Sequence, residues 1–222
     1  LLVSGVKKEV EMQSIRPVFI LGLPRSGTTL LQSLLDGHPD LLVNFAESHF
    51  FRKLFRGLPK LSPYAKVSLA EEVLFQHFIK RDEYYNRYLR EVSYFTIKER
   101  FYQYLSGPIE NSGQYLTAAI LAYGAATNQL HKKYWVEKTP HDDKFTELIF
   151  SLWPDARCIH VMRDPRAVYS TLKRRAASKN TTTRLGASVY QWRWSADVAI
   201  QNQMRFDRSQ YLVIRYCQAP NL

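Results

Sequence analysis

The chain has 222 residues, 45% of them hydrophobic, which suffices for one well-buried core and falls short of two independent domains. With 31 basic residues against 20 acidic ones the formal charge is +11, which favours an anionic partner such as a nucleotide, a polyanion or an anionic surface. Two cysteines, Cys158 and Cys217, without CxxC or Cys/His spacing, exclude a disulfide framework and a zinc site, and every apolar run is far shorter than a membrane span.

The run Val18 to Leu21, closed by Gly22, predicts a buried parallel strand. It leads into "GLPRSGTT", residues 22–29, a phosphate-loop pattern in which Thr28 stands where a Walker A loop carries its lysine. Gly22 and Gly27 let the backbone curl so that successive N–H groups point inward, and the helix that follows turns its positive end to an anion. Arg25 adds a charged fork, and Ser26, Thr28 and Thr29 add hydroxyls. Leu30, Leu31, Leu34 and Leu35 recur at helical spacing until Gly37 and Pro39 stop the helix, with His38 a turn residue.

Next comes "FAESHFF", residues 45–51, where Glu47 and His49 are the acid–base candidates and Phe50 and Phe51 form an expected hydrophobic wall beside them. From Ser68 to Leu105 the chain is charged and aromatic with helical patches, and 116–131 reads as a further helix. "YWVEKTP" predicts a short strand ending in a Pro turn, and His141 behind it a helix start. From Phe145 the pattern gives helix, Pro-Asp turn, the strand "RCIHVM", a tight turn at Pro165, and helix again; a last helix over 187–204 precedes the strand "YLVIRY". Strands alternating with helices predict a single α/β domain, P-loop-like, with a central, mainly parallel sheet flanked by helices and ligand-binding turns along one edge.

At that edge Arg163 leaves the strand "RCIHVMR", and Ser170 and Thr171 lie about two helical turns on. An arginine fork with a hydroxyl suits a phosphate monoester; Arg166 competes with Arg163 for that role. Trp135, Trp192 and Trp194 read as core or wall residues without chemistry.

In this order, "FILGLPRSGTTLLQSLLDGHPD", "EKTP" and "VMRDPRAVYSTL" resemble the sulfotransferases that use 3′-phosphoadenosine 5′-phosphosulfate (PAPS), closest to the bacterial and tyrosylprotein-type branches, over Pro17 to Tyr216. The resemblance implies that Gly22, Arg25, Ser26, Gly27, Thr28 and Thr29 hold the donor's 5′-phosphosulfate, which has no γ-phosphate for a lysine to reach. It implies that Arg163 with Ser170 or Thr171 holds the 3′-phosphate, the usual eight-residue spacing falling on Thr171. Lys138 matches the lysine at the leaving phosphate, with Arg25 sharing that work, and Glu47 matches the catalytic base, with His49 the alternative. No metal is called for, and the partners implied are the nucleotide and a hydroxyl-bearing acceptor rather than nucleic acid.

Tyr84, Tyr85, Tyr88, Phe95, Phe101 and Tyr102 are the expected source of the acceptor pocket. Cys217 and Gln218 stand where the family often has an acidic pair, and relatives usually continue further, so the C-terminus is expected to be truncated. Two other readings are a P-loop small-molecule kinase, which wants the absent loop lysine, and a noncatalytic polyanion binder, which needs only the charge.

Overall fold

A computed structural model describes residues 15–79 and 92–216. Its centre is β1 (Arg16–Leu21), whose side chains alternate between two covered faces. Val18 and Ile20 join Val43, Val136 and Val161 beneath Leu31 and Leu35 of α1 (Thr28–Leu35). Phe19 and Leu21 point the other way into the larger core, where the Phe19 ring lies 5.3 Å from Trp135 and 5.1 Å from Trp153. Each buried aromatic of this kind contributes roughly 1.5–3 kcal/mol by leaving water.

Five parallel strands form the sheet in the order β2-β3-β1-β4-β5, with β2 (Leu41–Val43), β3 (Tyr134–Lys138), β4 (Arg157–Arg163) and β5 (Tyr211–Tyr216). The single α/β sheet agrees with the sequence pattern. Only β2 escapes that pattern, three residues being too short for a period to register. Because β1 hands the chain toward β2 and β4 hands it toward β5, a crevice opens at the carboxyl ends of β1 and β4.

Between β2 and β3 the chain runs through a π-helical turn (Phe50–Phe55), α2 (Pro63–Leu74), α3 (Gln76–Ile79), α4 (Tyr94–Tyr104) and α5 (Gly113–Ala126). Ser62 opens α2 by accepting from the Ala65 N–H, with Pro63 at the first helical position where its missing N–H costs nothing. Helix α5 is buried on nearly every face and ends at Ala126, short of the expected 131, because Asn128 takes up a left-handed conformation (φ 56°) and turns the chain. After β3 come α6 (Thr146–Leu152), α7 (Pro165–Ala177) and α8 (Leu185–Arg205); Asp164 caps α7 by accepting from the Arg166 N–H at 2.8 Å. Among the described residues no helix is long and apolar enough to cross a membrane.

Candidate active site

The 22–29 loop sits between β1 and α1 at the sheet's carboxyl edge. Gly22 has φ 133° and presses so closely on β4 that a Cβ there would lie 2.6 Å from the Val161 carbonyl oxygen. Gly27, at φ 102°, opens α1 with no side chain capping its first N–H groups, so those donors and the positive helix end stay turned toward the edge. Arg25, at φ 72°, shares the left-handed backbone. Ser26 and Thr28 are buried in the loop, whereas Thr29 is exposed; Arg25, Thr28 and Thr29 wall a cleft of about 1050 Å³.

Across that cleft stand Glu47 and Lys138. Lys138 ends β3, paired in register with Ile20 of β1, and is 3% exposed. Its ammonium donates to Glu47 Oε1 at 2.8 Å, a short ion pair whose carboxylate is more open to solvent than its lysine. The neighbouring Glu137 points into the protein and explains why the loop carrying Glu47 lies where it does. Glu137 Oε1 accepts from the Ser48 N–H at 3.2 Å, the Ser48 hydroxyl at 2.7 Å and the Thr139 hydroxyl at 2.6 Å. Thr139 Oγ1 in turn accepts from the His49 N–H at 3.2 Å. This clamp fixes the loop to β3. Burial pushes the Glu137 carboxyl up, against the lowering effect of these hydrogen bonds and of Lys138.

His49 is next to this pair but differently committed. Its Nδ1 accepts from the Arg52 guanidinium at 2.9 Å, which leaves the ring hydrogen on Nε2, 3.9 Å from Glu47 Oε2. Burial first, then Lys53, lowers its pKa to about 4. An imidazole with its lone pair occupied and its basicity depressed is a poor proton acceptor, whereas Glu47 keeps Oε2 beyond hydrogen-bond distance of His49. Phe50 and Phe51, expected as a wall beside them, instead lie wholly inside the core; Phe51 stacks on Phe145 at 5.1 Å. The π-helical turn divides the segment, sending these rings inward and Arg52 to the cleft.

At the end of β4, Arg163 donates to the Arg25 carbonyl at 3.0 Å and lies 4.9 Å over the Tyr216 ring, so it reaches the loop directly. Trp192 braces the same point by donating to the Arg163 carbonyl at 2.8 Å. Ser170 faces solvent on α7, and Thr171 donates its hydroxyl to the Ala167 carbonyl at 2.8 Å. Arg166 closes a surface fork on Asp164 instead of entering the cleft. The α7 residues that line the cleft are Leu172 and Arg175, and Arg175 is a candidate the sequence reading passed over. Its signal was present: with Val168 and Leu172 it completes an i, i+4, i+7 face.

The remaining candidates separate cleanly. Trp135 is core, Trp194 lies under Lys144 (5.2 Å to the ring), and His38 Nδ1 accepts from the Asp40 N–H as a turn residue does. Among the residues expected around an acceptor, Phe101 is core, Phe95 and Tyr102 are on the outer surface, and Tyr84, Tyr85 and Tyr88 lie outside the described residues, as do Cys217 and Gln218. The aromatic side chain that does line the cleft is Phe45, with His77 near it. Lining the same cleft, His141 opens the 3₁₀ turn Asp142–Phe145, as a helix start should. Among the described residues no group of His, Cys, Asp and Glu is arranged to hold a metal ion.

Comparison with known proteins shows the family of the chain. The chain is 29% identical over 155 residues to the nodulation protein NoeE of Sinorhizobium fredii (70% of this chain, 30% of that protein). It is 25% identical over 170 residues to an uncharacterized protein of Aquifex aeolicus (76% and 18%). The chain thus spans less than a third of the curated relatives it matches. Solved structures with a similar fold include the sulfotransferase domain of the Synechococcus PCC 7002 olefin synthase (TM-score 0.48, 22% identity, covering 91% of this chain and 66% of that one). Another is the sulfotransferase STF9 of Mycobacterium avium (TM-score 0.48, 16% identity, 91% and 59%). The sulfotransferase family profile matches residues 17–219, nearly the full length, and the chain belongs to that family.

Proposed function

We propose that this domain transfers a sulfuryl group from PAPS to an acceptor hydroxyl. The observation that carries the reading is one cleft walled jointly by a lysine-free phosphate loop, by the Lys138–Glu47 pair and by Arg175 of α7. The loop glycines, Arg25, Ser26, Thr28, Thr29 and the open end of α1 suit the 5′-phosphosulfate. Arg163 and Arg175, with Thr171, which is less exposed than Ser170, suit the 3′-phosphate.

In the reaction the acceptor oxygen bonds to sulfur as the sulfur–oxygen bond to the 5′-phosphate breaks. Glu47 takes the acceptor's proton, and Lys138 with Arg25 neutralises the charge arriving on the departing oxygen. The chain's other contribution is placement: the Glu137 clamp holds the Glu47 loop and the end of β3 in one register. The acceptor enters past Phe45 and His77.

The test is to incubate the protein with PAPS and a mixed panel of phenols, sugars and peptides, and to look by mass spectrometry for a product heavier by one SO₃. Sulfated product that disappears with Lys138→Ala supports the reading. Donor-independent labelling, or none with any acceptor class while the nucleotide also fails to bind, overturns it.

A further inference from the structure

His141 combines two costs in one residue of the cleft wall. Its backbone lies in the left-handed region (φ 71°), where a residue with a Cβ is strained by roughly 1–3 kcal/mol. Its Nδ1 is buried without a hydrogen-bond partner, and among the described residues the ring makes no hydrogen bond at all. His49, the other left-handed histidine at this edge, shows the contrast, because Arg52 satisfies its Nδ1. Neither cost at His141 is recovered within the fold. Capping a 3₁₀ turn requires no imidazole, and the structure records no side-chain cap there.

The buried Nδ1 has no donor to meet, so what the residue offers a ligand is its other ring nitrogen, Nε2, and the position of the residue says what that nitrogen can reach. The His141 N–H donates to the Gly22 carbonyl at 3.0 Å, which fixes the residue to the first position of the phosphate loop. The residue lines the cleft together with Arg25, Thr28, Glu47 and Lys138. It therefore borders the cleft beside the loop that suits the leaving side, in the same cavity as the carboxylate that suits the attacking side. In an in-line transfer the sulfur passes between those sides, and its three other oxygens face the wall.

The proton's place follows from burial. Burial above all, with Lys144 and Arg52 adding to it, lowers the ring's pKa to about 4, so the ring is neutral near pH 7 and carries one N–H. A buried N–H without an acceptor costs more than a buried lone pair without a donor, so the hydrogen belongs on Nε2.

Resting on the sulfotransferase reading, we infer that His141 contacts the sulfuryl group, donating from Nε2–H to one of its non-bridging oxygens. His141 is then a donor at the transferring group and not a second base. The contact exists with PAPS and is absent with the product adenosine 3′,5′-bisphosphate, which has no sulfuryl group. That difference makes the assignment measurable without knowing the acceptor.

Titration calorimetry of PAPS and of adenosine 3′,5′-bisphosphate against the wild type, His141→Gly and His141→Gln isolates it. Glycine is comfortable at φ 71°, so the first variant removes the imidazole and also relieves the backbone; glutamine restores a donor. We expect His141→Gly to bind PAPS roughly tenfold to a hundredfold more weakly while product affinity stays within about threefold, and His141→Gln to recover part of the loss. Equal weakening of both nucleotides, or no change in either, overturns the assignment to the sulfuryl group. A wild type that binds neither nucleotide is a separate result, the failure of the sulfotransferase reading itself.

Discussion

Glu47 and His49 are two residues apart, yet their hydrogen bonds give them different chemistry. Glu47→Gln should lower kcat by about 10²–10⁴ with bisphosphate affinity nearly unchanged, whereas His49→Gln should cost far less. Steady-state kinetics of the two variants checks this; the reverse ranking would return the base to the histidine. Asp142 offers a test of stability rather than turnover. Both its oxygens are buried with no hydrogen-bond partner among the described residues, and burial, with Glu137 the next contributor, pushes its pKa well above the usual carboxylate range. A carboxyl whose folded pKa is raised contributes stability below its unfolded pKa and loses it as pH rises toward the folded value. Asp142→Asn should therefore change stability little near pH 4 and increase it progressively from pH 5 to 8, as urea melts across that range would show. A loss of more than about 1 kcal/mol at pH 8 would mean that the carboxyl makes a favourable interaction in the folded state.

At the level of elements, the site is assembled from the ends of three adjacent strands, and what joins them is polar and buried. Gly22 is the tightest joint: an alanine there meets the Val161 carbonyl and an unfavourable φ together. Gly22→Ala should destabilise the fold by about 2 kcal/mol or more, measured by chemical denaturation, and should weaken nucleotide binding with it. On the other side of β4, Tyr211 donates to His160 Nδ1 at 2.6 Å, His160 Nε2 donates to Ser195 at 3.1 Å, and Ser195 donates to Asp143 at 2.5 Å. This chain ties α8 to the turn beside His141. Ser195→Ala strands both a buried imidazole N–H and a buried carboxylate oxygen, so it should cost about 1–3 kcal/mol. A neutral result in the same denaturation experiment would show that the neighbours repair the gap. The glycine loop, every strand of the sheet except β2 and the order of motifs were legible in the sequence because each is a local pattern. Arg175 was legible only as one position on a helix face, and the Glu137 clamp was not legible at all, since its role depends on what lies opposite: Ser48 and Glu137 are 89 residues apart, and a lone buried glutamate next to a site lysine carries no mark of which one faces the cleft.

For the molecule as a whole, the charge of +11 suggested an anionic partner without saying where. The fold gathers Arg25, Arg52, Lys138 and Arg175 on one cleft against Glu47 and Asp36, an excess of positive charge that suits the multiply charged nucleotide proposed above. Affinity for adenosine 3′,5′-bisphosphate should accordingly fall as salt rises, while its preference over other nucleotides persists; a nonselective polyanion binder would show the first trend alone. The decisive measurement is calorimetric titration of adenosine 3′,5′-bisphosphate against adenosine 5′-monophosphate and ATP, with Arg163→Ala and Arg175→Ala as controls. A 3′-phosphate site built on these arginines predicts saturable binding of the bisphosphate at least about tenfold tighter than that of the monophosphate, a margin that either arginine substitution removes. Equal affinity for all three nucleotides, unaffected by either substitution, would contradict it.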